Sequence, residues 1–443
     1  MIKNKLLAAS LIGISSTGSA LATERSDYDL QSAQYYQQGI HAGAFTILPK
    51  LDFNNEYNSN VFKTDTKNSS GQPAVNPLVD SYIAHFKPGV EARSNWNRHA
   101  LNLKFDTDLA QYASYPSRSN YNDLKTLVFG RLDVVRDSHL DGAFAYNSVH
   151  ENRGSPDQIS GIGPTFYNTK VMDTSYTHKL NRVSVNAGLN AIRYDYQDVA
   201  TLVPGATVQT PLLMSTRNHW EYLPSIRLGY EIQPAYEAFV KFVYKDASYD
   251  GLVLSNGAPA TISNPAYNRN STGYNALGGM AFQLTDLVTA DASVGYLQRT
   301  YEDPRLSKIS GVNGFVNLKW LPTKLTTVNG RVSRDINETT QQAVSGVLAT
   351  GVALDVEHEL MRNIFLMAGA DYVNNDYQGY NTQVTTNQYN RTDNLYGANV
   401  GAKYLLNTYL STDLSYTYQN RDVNYVGNNY EVNQVMLNLR GAY

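Results

Sequence analysis

Cysteine is absent from this chain of 443 residues. That excludes disulfide staples, zinc–thiolate sites, iron–sulfur clusters and cysteine nucleophiles. A basic excess is missing too: 36 Lys+Arg stand against 39 Asp+Glu, for a formal charge of −3. A nucleic-acid partner is therefore not expected, because such a partner selects a basic surface. Tryptophan is scarce at 3 residues, whereas tyrosine reaches 34. Tyrosine joins an apolar ring to a polar tip, which suits membrane interfaces and wet sugar-binding surfaces. Beyond Ala22 no apolar run approaches the ~18 residues of a helical membrane span.

The chain begins MIKNKLLAASLIGISSTGSALA. Lys3 and Lys5 form a positive n-region, Leu6 to Ile14 an apolar h-region, and Ala20-Leu21-Ala22 a small-x-small cleavage site before Thr23. Residues 1–22 are expected to be a cleaved signal peptide, which implies export. Residues 23–40 are polar and do not alternate, and read as a periplasmic lead-in or small plug. From 41 to 443 the chain is a train of long runs that alternate apolar and polar. Leu101, Leu103, Phe105 and Leu109 oppose Asn102, Lys104, Asp106 and Asp108. Val183, Val185 and Leu189 oppose Ser184, Asn186 and Asn190, and Val288 and Val294 oppose Asp291 and Ser293. Leu410 and Leu414 oppose Ser411 and Asp413; Val435, Leu437, Leu439 and the terminal Tyr443 oppose Asn438 and Arg440. A period of two gives a strand one apolar and one wet face.

Two kinds of connection alternate. Eight are short, near 93–98, 135–140, 178–183, 231–236, 283–288, 320–325, 358–363 and 405–410. Nine are long and polar or Gly/Pro/Asn-rich, near 61–79, 113–121, 152–163, 197–214, 250–271, 301–308, 338–346, 378–392 and 421–429. The expected fold is all-β: a transmembrane antiparallel β-barrel of about 18 strands in the outer membrane of a Gram-negative bacterium, with short periplasmic turns and long extracellular loops. Sixteen strands result if the weakly alternating stretch 166–177 is misread. A soluble propeller or β-helix is the rival, but no fixed repeat appears and runs of 14 or so residues exceed a propeller blade. Closure predicts that the first strand, near 44–57, pairs with the last, near 432–443. The apolar stretch TLVPGATVQTPLLM within 197–214 suggests that this loop, or 250–271, folds over the mouth, since exposed Leu202, Val203, Leu212 and Leu213 are unfavourable in water.

Catalytic signals are weak. The eight histidines form no HExxH pair, and no spacing gathers metal ligands. Asp137-Ser138-His139 holds triad residue types, yet neighbours in a tight turn cannot converge as a triad must. Gly161-Ile162-Gly163-Pro164 is followed by no helix to hold a phosphate. The expectation is therefore no enzyme, no cofactor and no metal. The wet face carries Lys50, Asp52 and Arg93, and with them the lumen-lining candidates Lys104, Asp106, Arg131, Asp133, Arg182, Arg227, Lys241, Lys319, Arg331, Asp335, Asp413 and Arg440. These charges either line a water-filled channel or pair with one another to stiffen the wall. Lipid-facing Trp320 and Tyr404 stand beside short turns, where an aromatic girdle belongs.

Two segments, GAFTILPKLDFNNEYNSNVF at 43–62 and VNLKWLPTKLTTVNGRVSRDI at 316–336, resemble the bacterial outer-membrane family described as "putative β-barrel porin type 2". The first resembles its opening motif of Gly, aromatic and apolar–Pro, although Asn58-Ser59-Asn60 stands where the family often has an Asp-Asp-Asn type sequence. The second resembles its strand–turn–strand with Trp, Pro-Thr, a Thr-rich strand and Arg. The likeness extends over about 40–443. It implies a barrel, no catalytic residues, and a role in export or assembly of a surface exopolysaccharide or capsule, as passive conduit or barrel component. The alternative is a general or substrate-specific diffusion porin for uptake of small solutes. A second alternative, an outer-membrane enzyme, lacks the His/Ser or His/Asp cluster it needs. Expected partners are outer-membrane lipid, a polysaccharide substrate, and the barrel-assembly machinery acting through the last strand and Tyr443.

Overall fold

Strands with one apolar and one wet face need two different environments, and a lipid span permits no unpaired edge. A closed sheet meets both demands. The structure, a computed structural model, describes residues 38–66, 78–155, 157, 163–202, 209–262, 265–285, 287–379, 391–424 and 429–443. The expected signal segment 1–22 and nearly all of the expected lead-in 23–40 lie outside the described residues.

The strands are β1 (Ile40–Ala42), β2 (Phe45–Asn58), β3 (Ser81–Ser94), β4 (Ala100–Tyr112), β5 (Tyr121–Val135), β6 (Ser138–His150), β7 (Phe166–Leu180), β8 (Val183–Tyr196), β9 (Val199–Leu202), β10 (Gln209–Leu212) and β11 (His219–Gln233). They continue as β12 (Tyr236–Tyr249), β13 (Ser271–Thr285), β14 (Val288–Tyr301), β15 (Ile309–Thr323), β16 (Thr326–Asn337), β17 (Gly346–Met361), β18 (Ile364–Gln378), β19 (Thr392–Leu405), β20 (Leu410–Val423) and β21 (Tyr430–Ala442). β2 to β8 and β11 to β21 pair in sequence as one antiparallel sheet of eighteen strands. β2 closes it on β21, with register from Lys50↔Ala442 to Asn58↔Gln434. The weakly alternating stretch 166–177 is a full strand, β7, so the count is eighteen rather than sixteen.

The barrel strands run 12 to 16 residues. That exceeds the ~9–11 residues needed to cross the apolar layer, so the wall projects beyond the membrane on the loop side. Outward positions are apolar: Leu189 is 42%, Val294 64%, Leu410 41% and Leu439 48% exposed, and Val185 shares their parity. Asn186, Ser293, Asp413 and Arg440 take the inward parity. Trp320 and Tyr404 face outward near the short turns, where Tyr409 stacks on Tyr443 at 5.3 Å. Those turns are tight enough to need left-handed backbone: Asp137, Asn181 and Ala235 have φ of 63°, 56° and 70°. Among the described residues no helix is long and apolar enough to cross a membrane.

Candidate functional site

The inward face is a wall of charges of both signs, held by cross-strand pairs. Lys50 lies 2.9 Å and Lys104 3.3 Å from Asp106. Arg131 pairs with Asp141 at 2.7 Å, with His139 at 3.3 Å from the same carboxylate. Arg227 pairs with Glu237 at 2.5 Å and lies 4.0 Å over the Phe239 ring. At the closing seam Arg440 pairs with Asp52 at 2.5 Å, and Asn438 donates to Asp413 at 2.8 Å. Both side chains of the Lys50–Asp106 pair keep about a fifth of their surface open. Such pairs therefore fix the wall and still present polar atoms to a passing solute.

The remaining candidates stand differently. Lys241 makes no ion pair among the described residues; Arg227, Asp291 and Asp173 are the charges around it. Asp133, Arg331 and Asp335 are inward and likewise form no ion pair among the described residues, and Lys319 is inward with a partner. Arg182 is not on the wall: it occupies the two-residue turn between β7 and β8, because the strand ends at Leu180 and the chain reverses there. The alternating run reaches one residue ahead of the start of β8 at Val183, and Arg182 is that residue.

The other half of the site is the mouth. The loop between β6 and β7 starts at the fifth barrel strand, counting from β2, and its described residues reach much of the ring. Glu151 holds both guanidinium nitrogens of Arg217, at 3.1 and 3.2 Å, with both residues buried. Arg153 donates to the carbonyl of Arg118 at 2.6 Å. Arg118 belongs to the one-turn helix α1 (Pro116–Ser119) between β4 and β5. The carbonyl of Gly154 accepts from Arg421 of β20 at 3.5 Å. Asp157 accepts from the Thr339 hydroxyl at 2.6 Å and the Thr340 amide at 3.0 Å, in the loop between the thirteenth and fourteenth strands. Fifth and thirteenth strands are eight apart in a ring of eighteen, so residues 151–155 and 157 reach into the mouth and meet loops from well-separated parts of the ring.

The far-side anchor is itself braced. Arg269, fully buried, donates to the Gln341 and Val344 carbonyls at 2.6 and 3.1 Å. Arg391 donates to the Gln341 side chain at 2.8 Å and grips Asp393 through two bonds of 2.7 Å. Asp393 also accepts from Arg421 at 2.5 Å and from the Tyr377 hydroxyl at 3.1 Å. Lys63, after β2, donates to Gln419 at 3.0 Å and lies 5.2 Å over the Tyr430 ring. Burial, and then the charge of Arg421, push its ammonium down to about 8, with Glu56 opposing. Gly154 has φ of +82°, and a Cβ there would fall 2.7 Å from Lys63 and 2.9 Å from Tyr430. Only glycine fits where this segment bends against that wall.

The expectation that 197–214 or 250–271 narrows the mouth falls in part on residues 203–208, 263 and 264, which lie outside the described residues. Strands β9 and β10 pair antiparallel, Leu212 and Met214 are buried, and Leu213 is exposed with its amide bonded to the Gly257 carbonyl. The 250–271 loop contributes Arg269 to the Gln341 anchor, and residues 151–155 and 157 also reach into the mouth. Nothing in the polar sequence of 151–157 marked it, because its partners lie up to 267 positions away. Asp137, Ser138 and His139 sit at the β5–β6 turn and do not converge, and no metal-ligand group occurs among the described residues.

A family model described as "Putative beta-barrel porin 2" matches residues 32–443. No curated protein matches the chain. Among solved structures it is similar to OpdO of Pseudomonas aeruginosa, with 11% identity, 90% of this chain and 97% of that chain covered, and a TM-score of 0.42. It is similar to the outer-membrane protein OpdK of the same organism at 10% identity, 90% and 99% coverage, and TM-score 0.42. The siderophore receptor PiuA of Acinetobacter baumannii gives 10% identity, 92% and 82% coverage, and TM-score 0.46.

Proposed function

The chain belongs to this β-barrel porin family, and from that premise we propose that it is a selective diffusion channel for small polar solutes across the outer membrane. The observation that carries the reading is the segment 151–157. It reaches into the mouth, where Glu151, Arg153, Gly154 and Asp157 are tied to Arg217, Arg118, Arg421 and Thr339–Thr340. A channel narrowed by a tethered segment selects by size and charge. Below the mouth, paired charges on the wall offer many weak contacts in place of the lost hydration shell. A solute can make and leave such contacts one after another, which conduction requires. No chemical step is needed, since flow follows the concentration gradient.

Export of a surface polysaccharide ranks second. The wetted wall would serve a sliding polymer as well, but a wide hydrated chain would first have to displace a segment held on several sides. Reconstitution tests the two readings. Proteoliposomes should swell in small neutral sugars and progressively less as the sugar lengthens. Equal rates for monosaccharide and long oligosaccharide would reject the selective channel and favour the conduit.

A further inference from the structure

Two guanidinium groups at the mouth share one aromatic ring and have no acid partner among the described residues. Arg118 lies 5.1 Å and Arg153 4.7 Å from the centre of the Phe62 ring, and Arg118 also lies 6.0 Å from Tyr115. The only hydrogen bond between them is Arg153 to the Arg118 carbonyl, which neutralises neither charge. Elsewhere at the mouth Arg217 is paired by Glu151, and Arg391 and Arg421 by Asp393, while Arg269 is held by two backbone carbonyls. Burial, and to a lesser degree the charge of Arg118, hold the Arg153 guanidinium below its ordinary value, with Tyr112 opposing. Both guanidinium groups lie within about 5 Å of the same ring centre, and an anion meeting both would offset the repulsion between like charges.

The setting fits capture. Phe62 packs with Tyr115 on a cluster of Val61, Ile83 and Ala110, so the ring that supports both arginines is fixed. Arg118 is exposed to external water, whereas Arg153 is half-buried on the segment that reaches into the mouth. Lys63, beside Gly154, continues the run of cations toward the far wall. An anion meeting Arg118 first would pass to Arg153 and then to Lys63. Guanidinium groups present planar pairs of donors, which match a carboxylate in two-point contact.

We infer that Arg118 and Arg153, braced on Phe62, form an external capture site for small carboxylate solutes. The inference rests on the channel reading above and makes it more specific: the preferred solute is an organic anion. Equilibrium dialysis of radiolabelled succinate against the detergent-solubilised full-length protein reads the site directly, without requiring conduction. Binding should be saturable in the wild type and at least about tenfold weaker in R118S/R153S, the scale of a lost charge-assisted contact. R118K/R153K should retain part of the affinity. The heat-shifted gel migration of each variant shows that the barrel is folded, and either single variant, R118S or R153S, serves if the double one is not. Equal binding by wild type and serine variants overturns the proposal. So does lipopolysaccharide retained by the wild type and lost by R118S/R153S without succinate binding, since the pair would then hold a lipid headgroup. Sugar-driven swelling of proteoliposomes is measured in parallel. Swelling without succinate binding rejects the capture site and keeps the channel; binding without swelling does the reverse.

Discussion

Replacing Glu151 by Gln should loosen the segment that reaches into the mouth. The Glu151 and Arg217 side chains are 4% and 7% exposed, and Arg217 also lies 4.1 Å over the Tyr196 ring. The variant keeps the shape of the side chain and removes its charge, so Arg217 stays buried without an anion. Removing one partner from such a pair costs about 3–5 kcal/mol. The cost falls on the docked arrangement, because an undocked segment returns Arg217 to water. The lower figure shifts the docked/undocked ratio by about a hundredfold, since about 1.4 kcal/mol is tenfold. A segment that is undocked far less than 1% of the time would then open visibly. Single-channel recordings should show a higher-conductance substate that is rare in the wild type. E151Q/R217Q, which buries no lone charge, should restore much of the wild-type pattern. Unchanged conductance histograms in E151Q, with the barrel shown folded by gel migration, would refute the claim that this ion pair holds a narrowing segment.

Lys63, whose ammonium is pushed down to about 8, should lose its charge between roughly pH 7 and 9, so anion preference read from the reversal potential should fall over that range in the wild type and not in K63Q. The same shift makes stability rise with pH between about 8 and 10.5, where the unfolded chain holds the proton that the folded one has released. Leu189→Arg should destabilise by about 2–4 kcal/mol if it lies at the bilayer midplane, while Asn186→Arg, on the inward parity, should cost little; refolding into lipid with a urea titration measures both. Gly154→Val should perturb the mouth without unfolding the barrel, seen as altered conductance at unchanged gel migration, since φ of +82° and the contacts to Lys63 and Tyr430 admit no branched side chain.

Much of the barrel could be read from the chain alone. Alternation over Ala100–Tyr112 or Leu410–Val423 assigns each side chain to lipid or lumen, because a strand's period is fixed by backbone geometry and a lipid solvent tolerates no exception. The eight short and nine long connections gave strand number and orientation for the same reason: turns are local. The ends of strands were less legible, as Arg182 shows, since where pairing stops depends on a neighbour's register. The charge pairs were half legible. Lys104 and Asp106 share a face by parity, but Lys50 as their companion follows only from the β2–β3–β4 pairing.

The mouth was not legible. Arg118, Arg153 and Phe62 lie in three separate loops, and Asp157 meets Thr339 across 182 positions. No periodicity governs loops, so their mutual contacts are chosen only when the closed ring fixes how far apart their ends stand. The apolar stretch in 197–214 pointed to a different loop, of which residues 203–208 lie outside the described residues. Sequence by itself determined the barrel, its two faces and its orientation, through backbone periodicity and the demand of lipid for paired edges. The tertiary structure alone decided which polar segment reaches into the opening and how Arg118 and Arg153 come to share one ring, because both depend on distances across a ring that the linear chain does not record.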